Sequence, residues 1–567
     1  MRSVNETNWF LSSKYAIYVT WAYEGENGAC GCYPDGQLPR TLDEMANAFD
    51  AKRFAEDCAA FGVQYVNFTA YHAHLYILYP SQVIEHYMPG HAASRDVIRE
   101  LIDELHKHDI KLQLYIHATI GDTMTAEEHE LLGWHDAAGG YRRWNDFINA
   151  FFEELCARYG TEIDSYYLDM IFHEPFLERI DQPRLLRTLT QHHPEVVVVG
   201  NGQAVEGVHY GSREDAMANV SDADDRQAYP TQTVVTLTGT WWSTQQTDSP
   251  IVARYTPDHL FRYLVLTASA NTEGGGLAIG ASPYVTMGFE PGVRETLLAL
   301  GALIQPYAKS ILNTLPSKAY VTPAGMQIKR LPSGFVATRS LDGSEEYIHV
   351  LTPPAGNTIR LPVPLDGSSY TSARMLLSGK EAELSQDASG VILSIPEAWD
   401  HLDTVIVLLR DPSVPGKQAA GRPLPQDTIT ITGGNHLDGH GPECLLDGDE
   451  STYWCTSEGI THTITLDLGR EYEVCALRVM PRQEQSVESL VTHVTTYSIW
   501  AGTDPDHLRP VATGEWKRSY EEKHSAFSPI TARYIQLQAG PEWLPSDWRV
   551  FPRSAASAAS LTVEVSD

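Results

Sequence analysis

From Tyr15 to about Ala308 the chain alternates short apolar runs with amphipathic helical patterns, and this alternation restricts its fold more than any other feature. Tyr15–Thr20, Val63–Thr69, Ile110–Ile116, Ser165–Leu168, Val196–Val199 and Leu277–Ile279 are apolar or β-branched and of strand length. The segments between them are punctuated as helices. Asp50 is placed to cap a helix with Phe54, Cys58 and Phe61 on one face, and Gly62 ends it. Ser94 is placed to cap a second, in which Val97, Ile98, Leu101, Ile102 and Leu105 recur at helical spacing. Trp144, Phe147, Ile148, Phe151, Phe152 and Leu155 form a third, closed by Gly160. A strand followed by a helix crosses over to pair parallel with the next strand. Repeated over this length, the pattern predicts a closed barrel rather than an open sheet.

Beyond Leu315 the helical patterns stop, and strands such as Gly334–Ser340, Tyr347–Thr352 and Val405–Leu409 are separated by turn residues. Asp411–Asp427 is rich in Pro, Gly, Ala and Gln and reads as a linker. The expected architecture is α/β: a (β/α) TIM-like barrel over 1–314, followed by two all-β sandwich domains, 315–410 and 428–567, with the linker at 411–427 between them. A length of 567 residues agrees, since one hydrophobic core does not serve so long a chain.

A net charge of −32 with no basic run excludes nucleic acid and anionic membrane surfaces as partners. No apolar run reaches the roughly 20 residues of a membrane span. Met1 to Trp9 is polar and shows no apolar signal-peptide core, so the protein is expected in the cytoplasm or secreted with its leader removed. The seven cysteines, Cys30, Cys32, Cys58, Cys156, Cys444, Cys455 and Cys475, have no zinc-type spacing and read as reduced and mostly buried.

Barrels of this kind carry their chemistry at the C-terminal ends of the strands. Tyr166-Tyr167-Leu168-Asp169 therefore sets a carboxylate at the mouth, where glycosidic cleavage uses two carboxyl groups. The other reading of such an Asp is a helix cap. Histidines follow other strands: His72 and His74, His117, and His173 just past Asp169. They are either loop histidines with local partners, sugar-hydroxyl contacts or metal ligands. No His-x-His follows the first strand, where Thr20-Trp21 stands, so no metal is expected in the active site.

At these residues the chain resembles glycoside hydrolase family 29, the α-L-fucosidases, from roughly Trp9 to Arg410. Lys14–Trp21 is similar to the family's K-F-G-I-F-x-H-W, and Phe49-Asp50-Ala51 with Phe54 to F-D-A-x-x-W. Thr69–Ser81 runs without gaps beside T-x-K-H-H-D-G-F-x-L-W-x-S, and Arg95-Asp96-Val97 resembles R-D-L. Tyr166–Met170 resembles W-F-D-G, and Gly274–Pro283 resembles G-G-N-L-L-L-N-V-G-P. The resemblance implies an exo-acting retaining α-glycosidase with Asp169 as nucleophile and no cofactor for catalysis. Glu214 is the implied acid/base, because relatives place that residue a few dozen positions beyond the nucleophile. Glu206, Glu273 and Glu174 are the alternatives, with Asp215 beside Glu214. Trp21, His72, Trp241 and Trp242 are expected to shape the glycone pocket.

The departures bear on specificity. Thr20 stands for the family's histidine in H-W, Ala73 for the second histidine of H-H, and His74 for the aspartate after it. Aligned without gaps to Trp241, the family's W-E-T falls on Thr231-Gln232-Thr233, so Gln232 replaces a glutamate. Each buried partner left unpaired costs about 1–3 kcal/mol, which retunes the choice of sugar. Two further readings follow: a glycosidase on the same scaffold with a non-fucose glycone, or a catalytically silent, lectin-like protein that has lost its acid/base.

The last domain resembles the discoidin-like, coagulation factor 5/8 C-type fold shared by carbohydrate-binding module family 32. Leu445–Asp449 with Thr452-Tyr453-Trp454 is similar to A-L-D-G-D-x-x-T-x-W, Thr463–Gly469 to a strand ending in D-L-G, and Ala532–Leu537 to A-R-Y-I-x-L. This implies a glycan as partner, and a structural calcium held by Asp447 and Asp449. Removal of Thr428–Asp567 is expected to spare small substrates and to weaken binding to polymeric glycans.

Overall fold

The computed structural model describes residues 9–566, apart from 118–123, 170–178, 203–207, 215–222, 245–252, 332, 415–420, 434, 457–461, 487–488, 491 and 540–554. Eight parallel strands close into a barrel: β1 (Tyr15–Val19), β2 (Tyr65–Tyr71), β3 (Lys111–Ile116), β4 (Ser165–Leu168), β5 (Val197–Asn201), β6 (Tyr210–Glu214), β7 (Gln232–Thr236) and β8 (Leu277–Gly280). Each strand pairs with the next, and β8 returns to β1 with Leu277 opposite Tyr15. Six of the eight are the apolar runs of the sequence. β6 and β7 are not apolar, because their buried polar groups find partners: Arg213 donates to Thr496 of the third domain, and Gln232 bonds inside the barrel.

Helix α1 (Ala51–Phe61) is capped by Asp50, whose carboxylate accepts the Arg53 amide at 3.0 Å, and ends at Gly62 with φ 75°. Helix α2 (Val97–His106) is capped by Asp96 rather than Ser94. Asp96 directly precedes the first turn and accepts the Arg99 amide at 2.9 Å, whereas Ser94 donates its amide and hydroxyl to Asp43. Helix α3 (Arg142–Tyr159) ends at Gly160, as its sequence implies, and buries its aromatic face.

The two-residue pleat of the strands sorts side chains between two cores. Ala16, Tyr18, Tyr65, Tyr115, Tyr167, Val199, Tyr210 and Val234 fill the barrel interior. Tyr15, Ile17, Val19, Val66 and Phe68 point outward into the helical layer. One more step along each interior row delivers the residues of the mouth: Thr20, His117, Asp169, Asn201 and Glu214.

The second domain is an eight-stranded antiparallel sheet in the order Thr314–Pro316, Phe335–Ser340, Glu345–Val350, Thr404–Arg410, Tyr370–Met375, Glu381–Asp387, Gly390–Ser394, Thr358–Leu361. Arg262, on the barrel helix Pro257–Ala270, ties it down by donating to the carbonyls of Leu351 and Leu402 at 3.0 and 3.1 Å. The third domain is built on the long strands His462–Met480 and Lys523–Ala539. Gly421–Pro423, inside the expected linker, pairs antiparallel with Ser560–Ser566, so this sheet begins before Thr428. Trp454 is a core residue of this domain. Asp447 and Asp449 are exposed, and their carboxylates accept from Asp449, Ser451 and Thr452 of the same turn. None of the seven cysteines is in a disulfide, and only Cys444 is not fully buried. Among the described residues, no helix is long and apolar enough to cross a membrane.

Candidate active site

Asp169 stands one residue past β4, its amide donating to Ile116 O of β3 at 3.0 Å. It is only 6% exposed and is surrounded by donors. The Tyr115 hydroxyl donates to Oδ2, and His117 Nε2 lies 2.5 Å from the same oxygen. Asn201, the last residue of β5, donates from Nδ2 to Asp169 Oδ1 at 2.5 Å and to Glu214 Oε1 at 2.7 Å. A primary amide carries two hydrogens, so each carboxyl group receives one. The nearest oxygens of the two groups are thus no farther apart than those two bonds laid end to end.

This arrangement separates the two carboxyl groups electrostatically. Burial acts to raise Asp169, but His117, Tyr115 and Asn201 outweigh it and hold the carboxyl below its usual range. Glu214 moves the other way: burial, then the negative charge of Asp169, pushes it up to about 8. Burial lowers His117, with Asp169 pulling against it, so a neutral imidazole donates Nε2–H to Asp169. Tyr18 floors the site, with ring centroids 5.8 Å from Tyr115 and 5.6 Å from Tyr167.

The side wall comes from the segment after β2 and a hairpin, Ala22–Tyr23 paired with Ala29–Cys30. His72 stacks on His117 at 4.7 Å and meets the Trp242 ring edge-on at 6.2 Å. Its Nδ1 lies 2.9 Å from Oε1 of the buried Glu24, and His74 Nε2 lies 3.6 Å from Glu24 Oε2. Trp241 leans on Tyr18 at 5.4 Å, and its carbonyl accepts from Ser282, whose Oγ in turn takes the Thr20 amide at 2.9 Å.

Asp169, Glu214, Thr20, His72, His74, Trp241 and Trp242 are therefore gathered at one mouth. Three expected site residues are not. Trp21 is fully buried against Phe49 and Phe68, because the pleat that turns Thr20 inward turns its neighbour outward. Gln232 opens β7 at the opposite end of the barrel, donating to the Tyr65 hydroxyl at 2.6 Å and to Gln113 at 3.1 Å. Glu273 precedes β8, also at that far end. Its amide donates to Pro230 O, and burial, then Glu515 of the third domain, raises its carboxyl to about 8. Glu206, Glu174, Asp215 and His173 lie outside the described residues. Tyr115, Asn201, Glu24 and Cys30 are site residues that the sequence reading missed. For Tyr115 and Asn201 a signal existed: both occupy the same inward row as a neighbouring interior residue.

The closed parallel barrel thus brings two carboxyl groups, Asp169 and Glu214, together at its C-terminal mouth. Residues 40–309 match the family model described as Alpha-L-fucosidase, and residues 430–547 match that of the F5/8 type C domain. Residues 40–309 thus form a domain of the α-L-fucosidase type, and residues 430–547 one of the F5/8 C type.

Three solved structures share its fold. One is an alpha-L-fucosidase of Bacteroides thetaiotaomicron, described as a trapped covalent intermediate with 2-fluoro-fucosyl fluoride: 16% identity, 72% of this chain and 97% of that chain, TM-score 0.52. Alpha-L-fucosidase isoenzyme 1 of Paenibacillus thiaminolyticus gives 19%, 72%, 99% and 0.51. The Thermotoga maritima alpha-fucosidase gives 16%, 72%, 98% and 0.50. A galactose oxidase of Gibberella zeae is 31% identical over 116 residues, a stretch amounting to 19% of this chain and 17% of that relative's length.

Proposed function

We propose that the protein is an exo-acting, retaining α-glycosidase in which Asp169 is the nucleophile and Glu214 the acid/base. The observation that carries this is the shared Asn201 amide, which holds the two carboxyl groups on one nitrogen. Retaining enzymes set their carboxyl groups about 5–5.5 Å apart, whereas inverting ones leave about 6.5–9.5 Å for a water. The opposite shifts suit the two roles, an ionised nucleophile beside a protonated acid. Asp169 attacks the anomeric carbon while the leaving oxygen takes the proton of Glu214. Glu214, now a carboxylate, then removes a proton from the water that cleaves the glycosyl ester, and Asp169 is released. No organic cofactor enters this sequence.

The family histidine positions filled by Thr20 and Ala73 favour a second reading, the same chemistry on a glycone other than fucose. The silent, lectin-like reading rested on Gln232 as a lost acid/base. It loses that support, since Gln232 sits at the far end of the barrel. The third domain is assigned to glycan binding.

The test is active-site labelling. A 2-fluoro glycosyl fluoride of an accepted sugar should form a covalent adduct, and digestion with mass spectrometry should locate it on Asp169. An adduct on another carboxylate, or hydrolysis with inversion at the anomeric carbon, would overturn the assignment.

A further inference from the structure

The side wall of the mouth contains donors that the hydrolytic mechanism does not use. Glu24 follows the first strand of the hairpin and Cys30 ends the second. The turn between them is closed by Glu24 N–H to Gly28 O at 2.9 Å and Gly28 N–H to Gly25 O at 3.1 Å. Gly25 takes φ 62°, and a Cβ there would meet the Tyr76 hydroxyl at 2.6 Å and its ring at 2.8 Å, so the hairpin lies directly against the segment that carries His72 and His74. Cys30 Sγ is 3.6 Å from Glu24 Oε1 and 3.7 Å from His72 Nδ1, and His72 Nδ1 is 2.9 Å from that same Oε1.

We infer that Glu24, Cys30 and His72 form a site for a divalent cation of the zinc type. The donor set is the first argument. A thiolate, an imidazole and a carboxylate make the borderline-soft mixture that selects zinc over magnesium or calcium. Spacing is the second. With metal–sulfur near 2.3 Å and metal–nitrogen and metal–oxygen near 2.0–2.1 Å, the corners of a tetrahedral site stand about 3.3–3.6 Å apart. Two of the three observed separations fall within about a tenth of an ångström of that range, and the shortest widens with a small rotation of His72.

The third argument is independent of both. Glu24 is 7% exposed, yet its Oε2 is buried with no hydrogen-bond partner among the described residues. His74 Nε2 is 3.6 Å from it, too far for a hydrogen bond. A buried carboxylate oxygen without a donor is costly unless something positive meets it. Binding would release the Cys30 thiol proton to solvent, the thiolate taking its place on the ion. The ion would lock the hairpin to the segment after β2 and fix His72 against His117. That consequence rests on the hydrolase reading; the ion itself does not.

The experiment measures metal on the full chain without substrate, so it fails or succeeds separately from catalysis. After exposure to Zn2+ and dialysis, the wild type should retain about one zinc per chain. Cys30→Ser should bind Zn2+ more than about 100-fold more weakly, beyond the loss expected from an outer-shell partner. Cys32→Ser, on the same hairpin, should bind as the wild type does. Should Cys30→Ser not fold, Co2+ loaded into the wild type and into Cys32→Ser gives the second readout, a near-ultraviolet sulfur-to-cobalt band in both. A wild type that retains no zinc or shows no such band would overturn the inference, as would a folded Cys30→Ser that binds equally.

Discussion

His117 Nε2 lies 2.5 Å from Asp169 Oδ2, the two side chains projecting from adjacent strands into one face of the mouth. The imidazole is buried, so its bond to the carboxylate is not shared with water. It favours the ionised form of Asp169 against a burial that opposes it.

His117→Asn should therefore raise the Asp169 pKa. The sign follows from the form required: Asp169 must be ionised to attack, so activity is lost as pH falls through its pKa, and a higher pKa moves the acidic limb of kcat/KM to higher pH. At neutral pH the expected loss is about 10–100-fold, below the cost of removing the nucleophile itself. Initial rates between pH 3 and pH 8 on an aryl glycoside measure it. An acidic limb that stays in place would show that Tyr115 and Asn201 hold Asp169 without the histidine.

Glu214, the proposed acid/base, is expected to govern the other limb. It must be protonated to act as acid, and burial with the Asp169 charge raises it to about 8. Activity should fall as pH rises through that value. Glu214→Gln cannot titrate, so its residual activity should show no alkaline limb near pH 8. It should be reduced by about 10²–10⁴-fold on poor leaving groups, the range of general acid catalysis, and less on activated aryl glycosides. A Glu214→Gln profile with the wild-type alkaline limb would move the acid elsewhere.

The barrel was legible because its strands and helices keep different hydrophobic periods, and Asp169 because a strand run ends on it. The remainder of the site depends on tertiary structure. β6 carries Arg213 on its outer face, a polarity that only the third domain explains. Gln232 was misplaced because an ungapped count back from Trp241 ignores the length of β7, which spans five residues and starts at the barrel's far end. Glu24 and Cys30 reach the site on a hairpin whose two strands are two residues each, too short to leave a periodic trace.

Arg213 also changes what the third domain is expected to do. It is buried next in sequence to Glu214, donates to Thr496 Oγ1, and sits over the Tyr229 ring at 5.0 Å. Removing Thr428–Asp567 strips this bond from the strand that carries the proposed acid, so small aryl glycosides should also be turned over more slowly. Thr496→Val is the milder variant. It leaves a guanidinium N–H without its acceptor, at about 1–3 kcal/mol of stability. Thermal unfolding and kcat on one aryl glycoside check both. Unchanged kcat after truncation would return the domain to a role in polymer binding alone.

The glycone pocket should not accept fucose as the fucosidases do. Thr20 is short and turned into the barrel mouth with its amide fixed on Ser282, so its hydroxyl cannot reach a ring hydroxyl where an imidazole would. The Ala73 side chain carries no donor. His74, where the family has a short acid, is drawn toward Glu24 rather than held by a sugar. His72 keeps its place, its Nδ1 facing Glu24 and its ring stacked on His117 above the nucleophile. A fucoside therefore leaves two ring hydroxyls without their imidazole partners. At about 1–3 kcal/mol each, this lowers its kcat/KM by roughly 10- to 100-fold per hydroxyl. With alanine in place of the family's histidine at Ala73, a larger or differently hydroxylated ring is expected to be turned over better than fucose. Comparing kcat/KM for nitrophenyl α-L-fucoside with the galactosides, glucosides and rhamnosides decides the matter. A fucoside turned over well above all the others would mean that His72, with Trp241 and Trp242, suffices for fucose recognition.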